Sequence, residues 1–160
     1  MSRVFFTALA LALAACSPAT GDAATQSTQD AAASVHPISG LRTVPITITH
    51  ADKAHSFRVE VASSPQEQAK GLMFRNAMGP DEGMIFPLST PRTASFWMRN
   101  TVIPLDMIFI GTDGRIRNIR TAQPYDETPQ PSDGAVAAVL ELNAGRTREL
   151  GIEPGDQVSW

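Results

Sequence analysis

From residue 44 onward, apolar side chains recur at every second position in short runs. Val44, Ile46 and Ile48 fall on one side of an extended segment, and Phe57, Val59 and Val61 repeat the pattern. Ala51-Asp52-Lys53-Ala54 lies between the two runs, which predicts a hairpin. Ser64-Pro65-Gln66-Glu67 has the form of a helix start, with Ser as cap, Pro first in the helix and Glu three residues after the cap. Gly71 is the expected left-handed stop, so this helix is short. Met84-Ile85-Phe86 predicts a brief strand, and residues 94–100 and 105–110 predict stronger ones. Asp113-Gly114 turns the chain into a strand over 115–122, and another strand is expected over 135–142. Residues 145–150 form a helical turn, and Pro154-Gly155-Asp156 leads into a terminal strand over 157–160. About seven short strands and one short helix predict a mostly β domain, a compact sandwich or barrel.

The first forty residues break this pattern. Residues 1–15 hold one basic residue, Arg3, then a ten-residue apolar run, then Ala14 and Ala15. That is the layout of a secretory signal peptide, and the run is half of the roughly twenty residues a membrane span needs. Leu13-Ala14-Ala15-Cys16 resembles the lipobox of bacterial lipoproteins, which implies lipidation of Cys16, the one cysteine in the chain. Ser17, where an Asp would imply inner-membrane retention, implies the outer membrane, facing the periplasm. Residues 16–40 are rich in Ala, Ser, Thr, Gln and Gly and predict a flexible tether. The single folded domain is expected over 41–160.

Composition narrows the chemistry. The chain has 160 residues, 42% hydrophobic and 18% charged, with a formal charge of −3. This is enough for a core, and the absence of a basic stripe argues against a nucleic-acid partner. With Cys16 acylated, thiol chemistry is excluded. The sequence carries no nucleophile elbow, phosphate-binding loop, Cys-x-x-Cys or zinc-protease motif, so a binding or structural module is expected in preference to an enzyme. No cofactor is expected.

In Leu105-Asp106-Met107-Ile108-Phe109-Ile110 both faces of the strand are apolar except at Asp106, so a carboxylate enters a dry environment and needs donors. Arg75, Arg99, Asn100 and the Thr101 backbone are the candidates, and the plainer role for Asp106 is to pin the Asn100–Pro104 loop by hydrogen bonds, the other being to face a ligand. Glu141, inside Val139-Leu140-Glu141-Leu142, poses the same question less sharply, since an edge strand with one outward Glu would also give this pattern. Two facing carboxylates would suit acid–base hydrolysis of an envelope carbohydrate. Met73, Met84, Met98 and Met107 offer thioethers for Cu(I), or simply fill the core. His50 and His55 flank the hairpin turn with Asp52 at its tip, a set whose chemistry suits zinc, against the commoner reading of solvated hairpin-end histidines. Trp97 alternates with Phe96 and Met98 and is expected to be partly exposed as a platform.

Gly71-Leu72-Met73-Phe74-Arg75, Gly83-Met84-Ile85-Phe86, Phe96-Trp97-Met98-Arg99-Asn100-Thr101 and Ile103-Pro104-Leu105-Asp106 together resemble the bacterial and archaeal domain of unknown function 192 family. The resemblance continues through Val139-Leu140-Glu141-Leu142, Gly145 and Gly155-Asp156. It implies a compact β-rich fold and no established activity. Its motif positions here are Arg75, Asn100, Thr101, Asp106 and Glu141, which coincide with polar groups singled out above. The expected site is therefore Arg75, Trp97, Asn100, Thr101 and Asp106, with Glu141 outlying. Its ligand would be a small molecule or an envelope protein, and the membrane is reached through Cys16.

Overall fold

The computed structural model describes Ser34–Trp160. The expected signal peptide and Cys16 lie outside the described residues. The strands are β1 (Ser34–Val35), β2 (Arg42–His50), β3 (Lys53–Val61), β4 (Glu82–Arg92), β5 (Ser95–Phe96), β6 (Leu105–Ile110), β7 (Ile116–Ala122), β8 (Gln130–Pro131), β9 (Val136–Asn143) and β10 (Gln157–Ser159). Two short helices, α1 (Pro65–Lys70) and α2 (Arg146–Leu150), interrupt them.

The principal sheet runs β1-β2-β3-β4-β9-β6-β7, with β10 also on β2. Each pairing is antiparallel except β3 with β4, where the crossover contains α1. The β2–β3 hairpin turns on Ala51 and Asp52, with Ala51 at φ +50. At the head of α1 the expected capping box is formed: Glu67 N–H donates to Ser64 Oγ, and Ser64 N–H donates to Glu67 Oε2. The backbone N–H groups of Ser64 and Ser63, both donating to Glu67 Oε2, pull that carboxyl below its ordinary range. Gly71 ends the helix at φ +47 and ψ −135, outside the left-handed helical basin expected for it. A Cβ there would lie 3.3 Å from the Phe86 ring, so glycine also lets this turn press on the core.

Strands β4, β9 and β6 lie at the centre and carry apolar side chains on both faces. One face holds Ile85, Leu140, Leu142, Ile108 and Ile110, packed with Ile46, Ile48, Phe57, Val59 and Val158 as the sheet curls over itself. The other holds Met84, Phe86, Val139, Met107 and Phe109, covered by Leu72, Ala94 and Met98 from connecting segments. Gly83 lets β4 approach β9, because a Cβ there would sit 2.5 Å from the Glu141 carbonyl.

The mostly β architecture is as expected, and several details differ. The sheet is not a closed barrel: β10 pairs with β2 and reaches the start of β7 through one bridge, Arg115–Gln157. Three residues are too few to carry a full ladder to both edges. Residues 94–100 give only the two-residue β5, paired with β8. Asn100 takes φ +53 and Thr101 N–H closes a turn onto Met98, so Phe96 and Met98 serve as a cover instead of a ladder. Phe96 stacks edge-on between Phe86 at 5.0 Å and Phe109 at 6.3 Å. Residues 34–40, expected within a tether, also differ. Ser34 and Val35 pair with Thr43 and Arg42, and His36 N–H donates to Leu41. Two paired residues in a polar stretch leave no alternation to read.

Candidate functional site

Register places one row of side chains across the covered face: Glu60 on β3, Met84 on β4, Glu141 on β9, Met107 on β6 and Arg120 on β7. Both acidic members are buried. Glu60 is answered by Arg75, whose Nη1 and Nη2 donate to its two oxygens at 2.8 and 3.0 Å. Such a forked pair fixes orientation as well as charge. Glu141 stands between the side chains of Met84 and Met107 and receives no hydrogen bond from any described residue. It is 5% exposed, and burial alone pushes its pKa from 4.5 up to about 8. It is therefore largely protonated at neutral pH.

Glu141 is not sealed in. It lines a cleft of about 140 Å³ together with the end of α1, the turn Gly71-Leu72-Met73, Phe86, Phe96, Trp97 and Thr101. Trp97 is 50% exposed at the mouth, with the Arg99 guanidinium 5.0 Å from its ring centre. The mouth is held by the backbone: Phe74 N–H donates to the Asn100 carbonyl at 2.9 Å, and Tyr125 N–H to the Thr101 carbonyl at 3.1 Å. Phe74, Asn100 and Tyr125 all have positive φ (+62, +53 and +62), a conformation that costs of order 1 kcal/mol for each side-chain-bearing residue. Beyond the wall formed by Lys70, Gly71 and Met73 lies a larger groove of about 650 Å³, lined also by Ile38, Leu41, Phe74 and Arg75.

The six expected site residues are thus divided. Trp97, Thr101 and Glu141 share the cleft. Arg75 is taken up by Glu60 and borders the groove. Asn100 is exposed, and its side-chain amide reaches the Met73 sulfur at 3.8 Å. Asp106, expected either to pin the Asn100–Pro104 loop or to orient donors in the site, is fully buried on the opposite face and already occupied. Thr121 Oγ1 donates to its Oδ1 at 2.7 Å; Thr147 N–H and Oγ1 donate to its Oδ2 at 3.1 and 2.7 Å. The expected donors Arg75, Arg99, Asn100 and Thr101 play no part. Asp106 instead fastens α2 and β7 to β6, since Gly145 before α2 offers no side chain to cap it.

This overturns the paired-carboxylate reading. Asp106 aligns with Leu142, whereas Glu141 aligns with Met107, so the two carboxyls project from opposite faces of the sheet. The zinc reading also fails: His50 Nδ1 contacts both carboxylate oxygens of Asp156 at 3.1 Å, and it pairs across the hairpin with Lys53 instead of facing His55. No three His, Cys, Asp or Glu among the described residues form a metal cluster. Met84, Met98 and Met107 are fully buried in the second core, which supports packing as their role. The sequence reading passed over Glu60. Its setting, Val59-Glu60-Val61, is the same kind of signal as that around Glu141.

An open mixed sheet with a carboxyl-floored cleft under its covering loops defines a small β-rich domain class. The chain belongs to the DUF192 family, described as uncharacterized, whose model matches residues 46–160. UPF0127 protein TK1120 of Thermococcus kodakarensis is 27% identical over 109 residues, 68% of each chain. A crystal structure of a protein of unknown function from Novosphingobium aromaticivorans is 57% identical, with TM-score 0.79, covering 82% of this chain and 94% of that one. A Sinorhizobium meliloti structure, described as a candidate transcription regulator, is 41% identical, with TM-score 0.72 over 74% of this chain and 94% of that one.

Two stability measurements separate the carboxyls. Asp106→Ala leaves three donors unpaired and is expected to cost about 3–5 kcal/mol in denaturant unfolding. Glu141→Gln is expected to do the opposite. Because the folded carboxyl titrates at about 8 and the unfolded one near 4.5, the proton is held more tightly by the folded state. Its contribution is complete below pH 4.5 and is lost as pH rises toward 8, at about 1.4 kcal/mol per unit. Glu141→Gln should flatten that slope and raise stability at pH 7 by about 2–3 kcal/mol; unchanged slopes would refute the assignment.

Proposed function

We propose that this protein is a lipid-anchored envelope module, held at the outer membrane through Cys16 and facing the periplasm, that binds a small ligand in the Glu141 cleft without turnover. The anchor rests on the signal-peptide layout and the lipobox-like Leu13-Ala14-Ala15-Cys16. The binding role rests on Glu141, a buried carboxyl that the fold leaves without a donor while neighbouring Glu60 and Asp106 are both satisfied. An unanswered carboxyl weakens the domain at neutral pH, and its opening onto a cleft gives that cost a use.

Binding is favoured over hydrolysis because no second carboxyl and no histidine among the described residues shares the cleft with Glu141. The net charge of −3 and the scattered basic residues favour a ligand other than nucleic acid.

The test is a thermal-shift panel of the full chain against amines, carboxylates, polyols, glycans and short peptides. At least one class should stabilise it, with the shift abolished in Glu141→Gln and reduced in Trp97→Ala. No stabilisation by any class would leave a purely structural domain. Cys16→Ser should move the protein from the membrane to the soluble periplasmic fraction; unchanged membrane association would overturn the anchor.

A further inference from the structure

We propose that the ligand of the cleft is a small organic ammonium ion, bound as an ion pair with Glu141 among aromatic walls and exchanged for the carboxyl proton. This rests on the cleft being a binding site and names the chemistry it takes.

The first argument is charge. The carboxyl on the floor has no counter-ion, and the cations around it are committed elsewhere or lie outside. Arg75 is forked onto Glu60, Arg99 pairs with Glu127 at 3.2 Å, and Arg120 pairs with Asp133 at 3.1 Å. Lys70 lines the mouth and is exposed to water. Glu60, the other acid of the row, is already neutralised. Burial is the sole cause raising the Glu141 pKa, and no cation lowers it. The charge that would satisfy it must come from the ligand.

The second argument is the wall. Phe86, Phe96 and Trp97 line the cleft beside the Met73 side chain. Aromatic faces and polarizable sulfur attract an alkylammonium, and Gln68, Ser95 and Thr101, which also line the cleft, carry side-chain oxygens able to accept from its N–H groups. The third is size. About 140 Å³ admits four or five non-hydrogen atoms, by comparison with the roughly 30 Å³ a water occupies in the liquid. An ammonium nitrogen with two to four heavy atoms behind it fills that space.

The proton balance is closed. Protonated Glu141 and R-NH3+ become a carboxylate–ammonium pair, and one proton passes to solvent. Affinity therefore rises about tenfold per pH unit below pH 8 and levels above it. It falls again when the amine itself loses its proton near pH 10.

Titration calorimetry of the full chain with propylammonium, in buffers of differing ionisation enthalpy, reads both affinity and proton release. The expected result is release of nearly one proton at pH 6–7, declining to none by pH 9, with Kd tenfold lower at pH 7 than at pH 6. Glu141→Gln should lose at least tenfold in affinity and all proton release, while Trp97→Ala weakens binding severalfold without changing the proton count. Propanol and propionate, close in size, should not bind. Ethanolamine against glycerophosphoethanolamine distinguishes the source: tighter binding of the phosphoester identifies a lipid headgroup, and tighter binding of the free amine a soluble ligand. Amine binding without proton release, or equal binding by Glu141→Gln, overturns the inference. Propanol or propionate binding through Glu141, with amines inactive, overturns it and leaves the cleft as a binding site. Inactivity of the whole thermal-shift panel removes both.

Discussion

The central strands of this domain are buried on both faces, and that constraint governs where charge is tolerated. Covering segments and the curl of the sheet keep most of β4, β9 and β6 out of water, so a carboxyl on them must be answered by a donor from within the fold or hold its proton. Three carboxyls in or beside this core meet the requirement in three ways. Asp106 accepts three threonine donors, Glu60 accepts a forked arginine, and Glu141 keeps its proton. The first ties a helix to the sheet. The second ties the segment after α1 to the sheet. The third ties nothing, and it opens onto the aromatic cleft.

Much of the fold was legible in the alternation of apolar residues. The hairpin, the capped helix, the strands over 105–110 and 135–142 and the terminal strand stand near their expected places, because both local propensity and burial favour them. What failed was set by long-range packing. Residues 94–100 have a strand-like composition, yet Phe96 and Met98 gain more by covering the sheet than by joining it. Ser34 and Val35 join the sheet with no pattern of their own, because β2 supplies an edge that no local window contains.

The site was half legible for the same reason. A charged residue between aliphatic ones marks a candidate interior carboxyl, and it pointed to Asp106 and, against an outward place on an edge strand, to Glu141. It could not reveal which of them the fold satisfies. The donors to Asp106 lie 15 and 41 positions away, in strands and turns whose meeting depends on register. Glu60 carried the same mark, and its partner Arg75 was assigned to a ligand because nothing local joins them. Proximity in sequence drew Asp106 and the Asn100–Thr101 loop together, while the pleat sends Asp106 to the far face.

The stretch from Lys70 to Met73 borders both hollows of the molecule, the aromatic cleft on one side and the larger groove on the other. It is a partition one backbone thick, pinned below by the Arg75 clasp on Glu60 and above by the Phe74 amide on the Asn100 carbonyl. Because Lys70, Gly71 and Met73 line both hollows, a substitution at any of them reshapes the walls of both at once.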